Sequence, residues 1–149
     1  AAPVALRICP PSGWCGGAAL RDTVKVETTG DGVMAPGDWS KLGILNNYSG
    51  GVRYRTTFTL TEDETQGAVE LDLGRVVATA EVKVNGEPVG VRVAPPWKLD
   101  MTGQVRSGEN ALEVLVYNTL ANHYQTIPSQ YGGDPESGLL GPVTLRIRI

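Results

Sequence analysis

Sixteen carboxylates, one histidine and two cysteines are the groups in this chain with an obvious capacity for chemistry. Glycoside hydrolysis needs two carboxylates facing each other across a cleft, one of them kept protonated by its surroundings. Asp134 and Glu136, close together in a long irregular segment, are the pair to examine. Glu70, Asp72, Glu81, Glu113 and the run Glu62-Asp63-Glu64 fall where a solvated strand face or loop would put them. His123 sits between Asn122 and Tyr124, and the chain has no Gly-x-Ser-x-Gly motif to make a nucleophile elbow beside it. It also lacks the phosphate-cradling Gly-x-x-x-x-Gly-Lys and the dinucleotide fingerprint. Cys9 and Cys15 flank Pro-Pro-Ser-Gly-Trp; they close a small disulfide if their Cβ atoms face each other, and are otherwise a pair of loop thiols. Two cysteines and one distant histidine cannot supply a four-ligand zinc set at usual spacing. The chain reads as non-catalytic.

Binding makes a different demand. A pyranose offers an apolar face for stacking and a rim of hydroxyls, so its site needs exposed aromatic rings beside Asn, Asp, Arg or His. The loop aromatics are Trp14, Trp39, Tyr48, Trp97, Tyr124 and Tyr131. The favoured cluster is Asn118-Thr-Leu-Ala-Asn-His-Tyr124 with Tyr131. Asn118, Asn122 and His123 would bond hydroxyls, and Tyr124 or Tyr131 would be the platform. Trp39, Tyr48 and Trp97 are secondary candidates. Each has a structural alternative: Asn118 capping a turn, Tyr48 half in the core, Trp97 plugging the end of the fold.

The elements that must position these groups have a period of two. In Val52-Arg-Tyr-Arg-Thr-Thr-Phe-Thr-Leu60, Val52, Tyr54, Phe58 and Leu60 share one face, while Arg53, Arg55, Thr57 and Thr59 share the other. Val69, Leu71 and Leu73 alternate with Glu70 and Asp72. Leu112, Val114 and Val116 alternate with Glu113, Leu115 and Tyr117, and Val143, Leu145, Ile147 and Ile149 with Thr144, Arg146 and Arg148. Asn85-Gly86 predicts a two-residue hairpin leading into Val89 and Val91, because both turn positions tolerate positive φ. Val4–Ile8 and Val24–Val26 read as earlier strands, and Trp39 onward as at most a helical turn. Nineteen glycines and ten prolines punctuate the strands. Many short strands without intervening helices predict an all-β sandwich. Residues 1–19 read as an edge strand, loop or linker and residues 20–149 as the sandwich. The stretch from Leu120 to Leu140 shows no strand pattern, and a loop of that length is usually functional or mobile.

At 149 residues, 41% hydrophobic and 19% charged, the chain is long enough to bury a core of useful size. A net charge of −3 argues against a nucleic-acid partner, and no apolar run is long enough for a membrane-spanning helix. Ala1-Ala-Pro-Val does not read as a signal peptide, and the strand-like Leu145-Arg-Ile-Arg-Ile149 at the end fits an excised module.

In order, the motifs are Tyr48-x-Gly50-x-x-x-Tyr54-Arg55-x-x-Phe58, Val84-Asn85-Gly86 followed by Gly90, Pro96-Trp97-x-x-Asp100-x-Thr102, and Gly108-x-Asn110-x-Leu112-x-Val114. This series resembles the galactose-binding-like jelly-roll modules of glycoside hydrolases, as in the sugar-binding domain of family 2 glycosidases and of bacterial α-L-rhamnosidases. The likeness covers residues 37–149. It implies a jelly-roll sandwich attached to a secreted or periplasmic enzyme, with a polysaccharide or oligosaccharide and the parent's catalytic domain as partners. It does not transfer particular ligand contacts, and Asn85, Asp100 and Asn110 read as scaffold, through side-chain bonds to nearby backbone. Such modules often carry a structural calcium ion, but Asp31, Asp38 and Asp134 are scattered and form no recognisable oxygen-ligand loop. The leading reading is a non-catalytic carbohydrate-binding module that targets a glycoside hydrolase to polysaccharide. The alternative is an accessory domain that packs on the catalytic domain and binds no sugar alone.

Overall fold

Alternating apolar residues build the strands, and the strands pair as the alternation requires. The computed structural model describes residues 36–43, 45–125, 130 and 132–148. Cys9, Trp14, Cys15, Asp31, Tyr131, Ile149 and the strands or linker expected before residue 36 lie outside the described residues. Among the described residues the strands are β1 (Gly51–Leu60), β2 (Ala68–Asp72), β3 (Arg75–Val77), β4 (Thr79–Val84), β5 (Glu87–Arg92), β6 (Lys98–Asp100), β7 (Gly108–Tyr117), β8 (Gly138–Gly141) and β9 (Thr144–Arg148). Two single-turn helices, α1 (Glu62–Thr65) and α2 (Ala121–Tyr124), interrupt them.

Among the described residues the named strands pair antiparallel, and one isolated parallel bridge joins Gly74 to Gly141. One sheet runs β1-β7-β4-β5, a second β6-β2-β9, and β3 pairs with β8 in a short third. The inner face of β7 (Leu112, Val114, Val116) and of β4 (Ala80, Val82, Val84) meets Val69 and Leu71 of β2 and Leu99 of β6 in one buried cluster. Buried aliphatic side chains of this kind each contribute about 1.5–3 kcal/mol. This is the all-β sandwich that the alternation predicts.

The turns are held by their own side chains. Asn85 and Gly86 take φ of 53° and 88°, closing the β4–β5 hairpin. Asn85 Nδ2 donates to Asn110 Oδ1 (2.9 Å), while Asn85 Oδ1 accepts from Ala111 N (3.1 Å). Asn110, fully buried, donates to Arg106 O and Gly108 O and accepts from Arg106 N. Asp100 accepts from Thr102 N, and Thr102 Oγ1 accepts from Val69 N, which ties the end of β6 to β2. The scaffold reading of these three polar residues holds.

Three details depart from the sequence pattern. A register shift between Val82 and Lys83 bulges β5, and Val91 is left 55% exposed. Val143 lies just outside β9 and is exposed, because the chain is still turning after Pro142. The segment expected to be irregular from Leu120 to Leu140 includes α2 and most of β8.

Candidate functional site

The rim where β1 begins and β7 ends gathers most of the residues that suggested a ligand. Asp38 caps the short 3-10 turn Trp39–Lys41. Its Oδ1 accepts from Ser40 N (3.0 Å), Ser40 Oγ (2.6 Å) and, across the fold, Ser137 N (3.1 Å). Lys41 Nζ lies 3.2 Å from Oδ2. Burial alone would raise the pKa of this carboxyl, but the hydrogen bonds from Ser40, Ser137 and Lys41 outweigh it and hold the group below its ordinary value. Trp39 N then donates to Ser137 O at 2.9 Å.

Ser137 is the centre of a knot. Its fully buried hydroxyl accepts from Asn118 Nδ2 (3.0 Å) and lies within hydrogen-bond distance of Asn122 Oδ1 (3.2 Å) and Pro135 O (2.8 Å). Asn118 Nδ2 also donates to Tyr48 O (2.9 Å), and Asn118 Oδ1 accepts from Gly50 N (2.8 Å). Tyr48 OH donates to Gly51 O (2.9 Å), folding its ring beside Gly50. Next to the knot, Tyr54 OH accepts from Leu139 N at 3.2 Å; burial raises its pKa, and the Leu139 bond opposes that only in part.

These contacts place the candidates. Asn118 pins the start of β1 to the end of β7, which is its turn-capping alternative. Asn122 is fully buried, with Oδ1 toward Ser137 and Nδ2 without a partner among the described residues. Trp39 is 2% exposed, and its ring meets Tyr48 edge-on at 6.2 Å. Trp97 is 8% exposed, its carbonyl accepting from Leu73 N. Trp39 and Trp97, the secondary candidates for ligand contact, both have their rings in the core, Trp97 as the plug that its structural alternative gave, because each loop folds back onto the sandwich. His123 and Tyr124 keep a half-buried position on α2, rings edge-to-face at 5.2 Å, with His123 N donating to Ser49 Oγ. The rim thus brings together Trp39, Tyr48, Asn118 and Asn122, with His123 and Tyr124 on the adjoining turn; Trp97 belongs elsewhere.

The acid pair does not face across a cleft. Glu136 forms a two-pronged ion pair with Arg75, with Arg75 Nη1 3.1 Å from Oε1, while Asp134 Oδ1 accepts from Glu136 N. Asp38 and Asp134, two of the scattered oxygen ligands considered for calcium, are each engaged by protein groups. Lys41 occupies the cationic position at Asp38, and Asp134 is bound to local backbone. Ser137, the residue that organises the rim, was not among the expected ligands, although it opens the run Ser137-Gly-Leu-Leu-Gly-Pro-Val143.

Residues 48–138 match the family model described as glycosyl hydrolase 2 galactose-binding domain-like. A protein of Formosa agariphila, provisionally named a beta-glucuronidase, is 43% identical over 80 residues, which is 52% of this chain and 7% of that protein. A rhamnosidase from Novosphingobium sp. PP1Y superposes with a TM-score of 0.62 at 29% identity, over 86% of this chain and 16% of the other. A beta-glucuronidase from an uncultured Clostridium sp. shares the fold at 23% identity, with a TM-score of 0.59 over 74% of this chain and 21% of the other. In each case this chain spans only a small share of the relative's length.

Proposed function

The chain belongs to the glycosyl hydrolase 2 galactose-binding domain-like family, and from that premise we propose that it is a non-catalytic module of a glycoside hydrolase acting outside the cytoplasm. One observation carries the non-catalytic reading: the groups with ligand-like or acid–base chemistry at the rim are used to hold the fold. Asn118, Asp38 and Ser137 bond one another's loops, and Glu136 is bound by Arg75. Such a domain acts by position. On the accessory-domain reading it packs on the parent's catalytic domain and binds no sugar alone.

A second reading, targeting to polysaccharide, is favoured by His123 and Tyr124. Their rings meet edge-to-face on the rim, which sets an imidazole beside a phenol ring. Tethering would make weak monovalent binding useful.

The test is a pair of assays on the purified chain. On a panel of 4-nitrophenyl glycosides it should release no nitrophenol above the buffer rate; turnover abolished by Glu136→Gln would overturn the non-catalytic reading. In affinity gels cast with neutral and acidic polysaccharides, retardation removed by Tyr124→Ala would establish the targeting role at the rim. Unretarded migration in every gel would leave the positional role alone.

A further inference from the structure

The strand register gives the sandwich two ends of different character. At one, Tyr117 pairs with Gly51 and Thr79, Arg92 with Ala80, and Asp72 with Lys98 and Thr144. Arg92 Nε donates to Lys98 O (2.9 Å), which joins the two large sheets at this end. At the other lie α1, the Asn85-Gly86 hairpin and the loop after β6, with Asn85 Nδ2 donating to Gln104 O. Among the described residues, the exposed large hydrophobics are Leu42, Val91, Val93, Tyr117, Leu120 and Val143, and each belongs to the first end. The second exposes Glu62, Asp63, Gln66, Gln104 and Arg106 instead. The first is the apolar end, the second the polar end.

The apolar end is shaped and fastened. Val93, 73% exposed, opens the run Val93-Ala94-Pro95-Pro96, which is exposed throughout. The Arg92 bond closes this loop on one side, and Leu73 N donating to Trp97 O (2.8 Å) closes it on the other. Pro95, Pro96 and Pro142 wall a cleft of about 470 Å³, with Trp97 packed behind them and Asp72, Lys98 and Arg146 opposite. The base of the cleft is a close crossing: Gly74 and Gly141 bridge in parallel, and a Cβ on Gly74 would stand 2.5 Å from Gly141 O. By alternation and register, Val91 and Val93 share the outer face of the first sheet with Tyr117. The Tyr117 ring lies across Gly51, where a Cβ would stand 2.8 Å from it. Charges at this end are already paired: Lys41 with Asp38, Arg75 with Glu136, and Lys98 and Arg146 with Asp72.

We propose that the apolar end is a protein-docking surface, and that its occupant is the parent's catalytic domain, through a face that is apolar and carries little net charge. This rests on reading the chain as a glycoside hydrolase module, and it names the surface by which that module packs. Exposed apolar groups gathered on one side of a domain mark a contact site, and tyrosine is favoured at such contacts. A loop held at both ends and stiffened by prolines loses little freedom when it is covered. The charge pattern selects the partner's chemistry. Paired charges are less costly to cover than lone ones, and a strongly acidic or basic face would find its counter-charges taken. The chain spans only 7% and 16% of two relatives, so those proteins hold far more structure in the same polypeptide. A partner on the same chain is met at high effective concentration, so a modest apolar surface suffices.

Hydrogen–deuterium exchange on the full-length polypeptide that contains this chain, and on the chain alone, tests the assignment. In the full-length polypeptide, peptides covering residues 91–98, 115–121 and 142–146 should exchange about tenfold more slowly than in the chain alone. Peptides covering 61–67 and 101–107, at the polar end, should exchange equally in both. Val93→Asp and Leu120→Asp replace side chains more than half exposed, so each should leave the melting temperature of the chain alone unchanged. In the full-length polypeptide each should speed exchange at the apolar end about fivefold or more. Gln104→Asp should change neither measurement. The proposal is overturned if the apolar-end peptides exchange alike in both samples, or if protection falls on the polar end instead. It is also overturned if the chain alone is a dimer by light scattering that Val93→Asp makes monomeric, since a second copy would then be the occupant. Each of these leaves the module reading standing. Absence of glycoside hydrolysis by the full-length polypeptide would remove that reading and leave the exchange pattern as it is.

Discussion

The Ser137 knot and the Trp97 cleft use the same kinds of residue to opposite ends. Each sets a buried tryptophan beside an aspartate, a lysine and a hydroxyl side chain. At the knot, Asp38, Asn118 and Ser137 aim their polar atoms at backbone and at one another. At the cleft, Asp72, Lys98 and Arg146 lie on the outer face of paired strands, above a wall of exposed prolines. Tryptophan burial does not separate the two regions, since Trp39 and Trp97 are both core. What separates them is where the lone pairs and protons go. A polar group bonded to backbone across the fold is a fastening; at the cleft, Lys98 and Arg146 are held instead by carboxylates of the neighbouring strand.

The largest effect expected lies beneath the cleft, and it sharpens the contrast by showing which part of that region is fold. Gly74 has φ of +68°, and a side chain there would meet Gly141 O at 2.5 Å and Pro142 O at 2.6 Å. Gly74→Ala should cost about 4 kcal/mol or prevent folding, as strained backbone and overpacking combine. A urea midpoint near that of the parent chain would show that the crossing is not tight.

Next in size is Asn118→Ala, which strips partners from Tyr48 O, Gly50 N and Ser137 Oγ together. A loss of about 3 kcal/mol is expected, because the groups left behind are partly buried. Arg146→Gln in the cleft should stay within about 0.5 kcal/mol, as exposed ion pairs usually do. Equal losses in urea denaturation would break the comparison between fastening and available surface.

Much of the fold was legible in the sequence because its strands carry strict alternation. Leu112, Val114 and Val116 face inward while Glu113 faces out, and Asn85-Gly86 closes the hairpin it predicts. Asp100 with Thr102, and Asn85 with Asn110, bond backbone or each other as short polar side chains at turns do. The rim was only partly legible. A lone tryptophan in a polar loop reads the same whether the loop folds back or opens, so Trp39 and Trp97 stayed secondary candidates with a core alternative. Asn118 and Ser137 are 19 residues apart, and nothing local says that they touch. The cleft was illegible for the same reason. Asp72, Lys98 and Arg146 meet only through the register of β2 with β6 and β9, and Pro142 reaches them by the Gly74–Gly141 crossing.

The smallest effect separates the regions by pH. The carboxyl of Asp38 sits below its ordinary value of 3.8 because hydrogen bonds from Ser40, Ser137 and Lys41 outweigh the opposing effect of burial. A carboxyl whose pKa is lower in the folded state stabilises that state above its unfolded value. The contribution is lost as pH falls from about 3.8 through the lower folded value. Asp38→Asn keeps an oxygen for Ser40 and Ser137 but removes the charge facing Lys41, so it should cost about 1 kcal/mol at neutral pH. That difference from the parent chain should shrink through the same acid window, because the parent then loses its charge too. Thr144→Val in the cleft removes no titrating group, and its stability difference should stay flat across the same range. Melting temperatures taken from pH 7 down to ~2 would decide it, since a gap at Asp38→Asn that stayed constant in acid would mean that the Asp38 carboxylate is not what holds the rim.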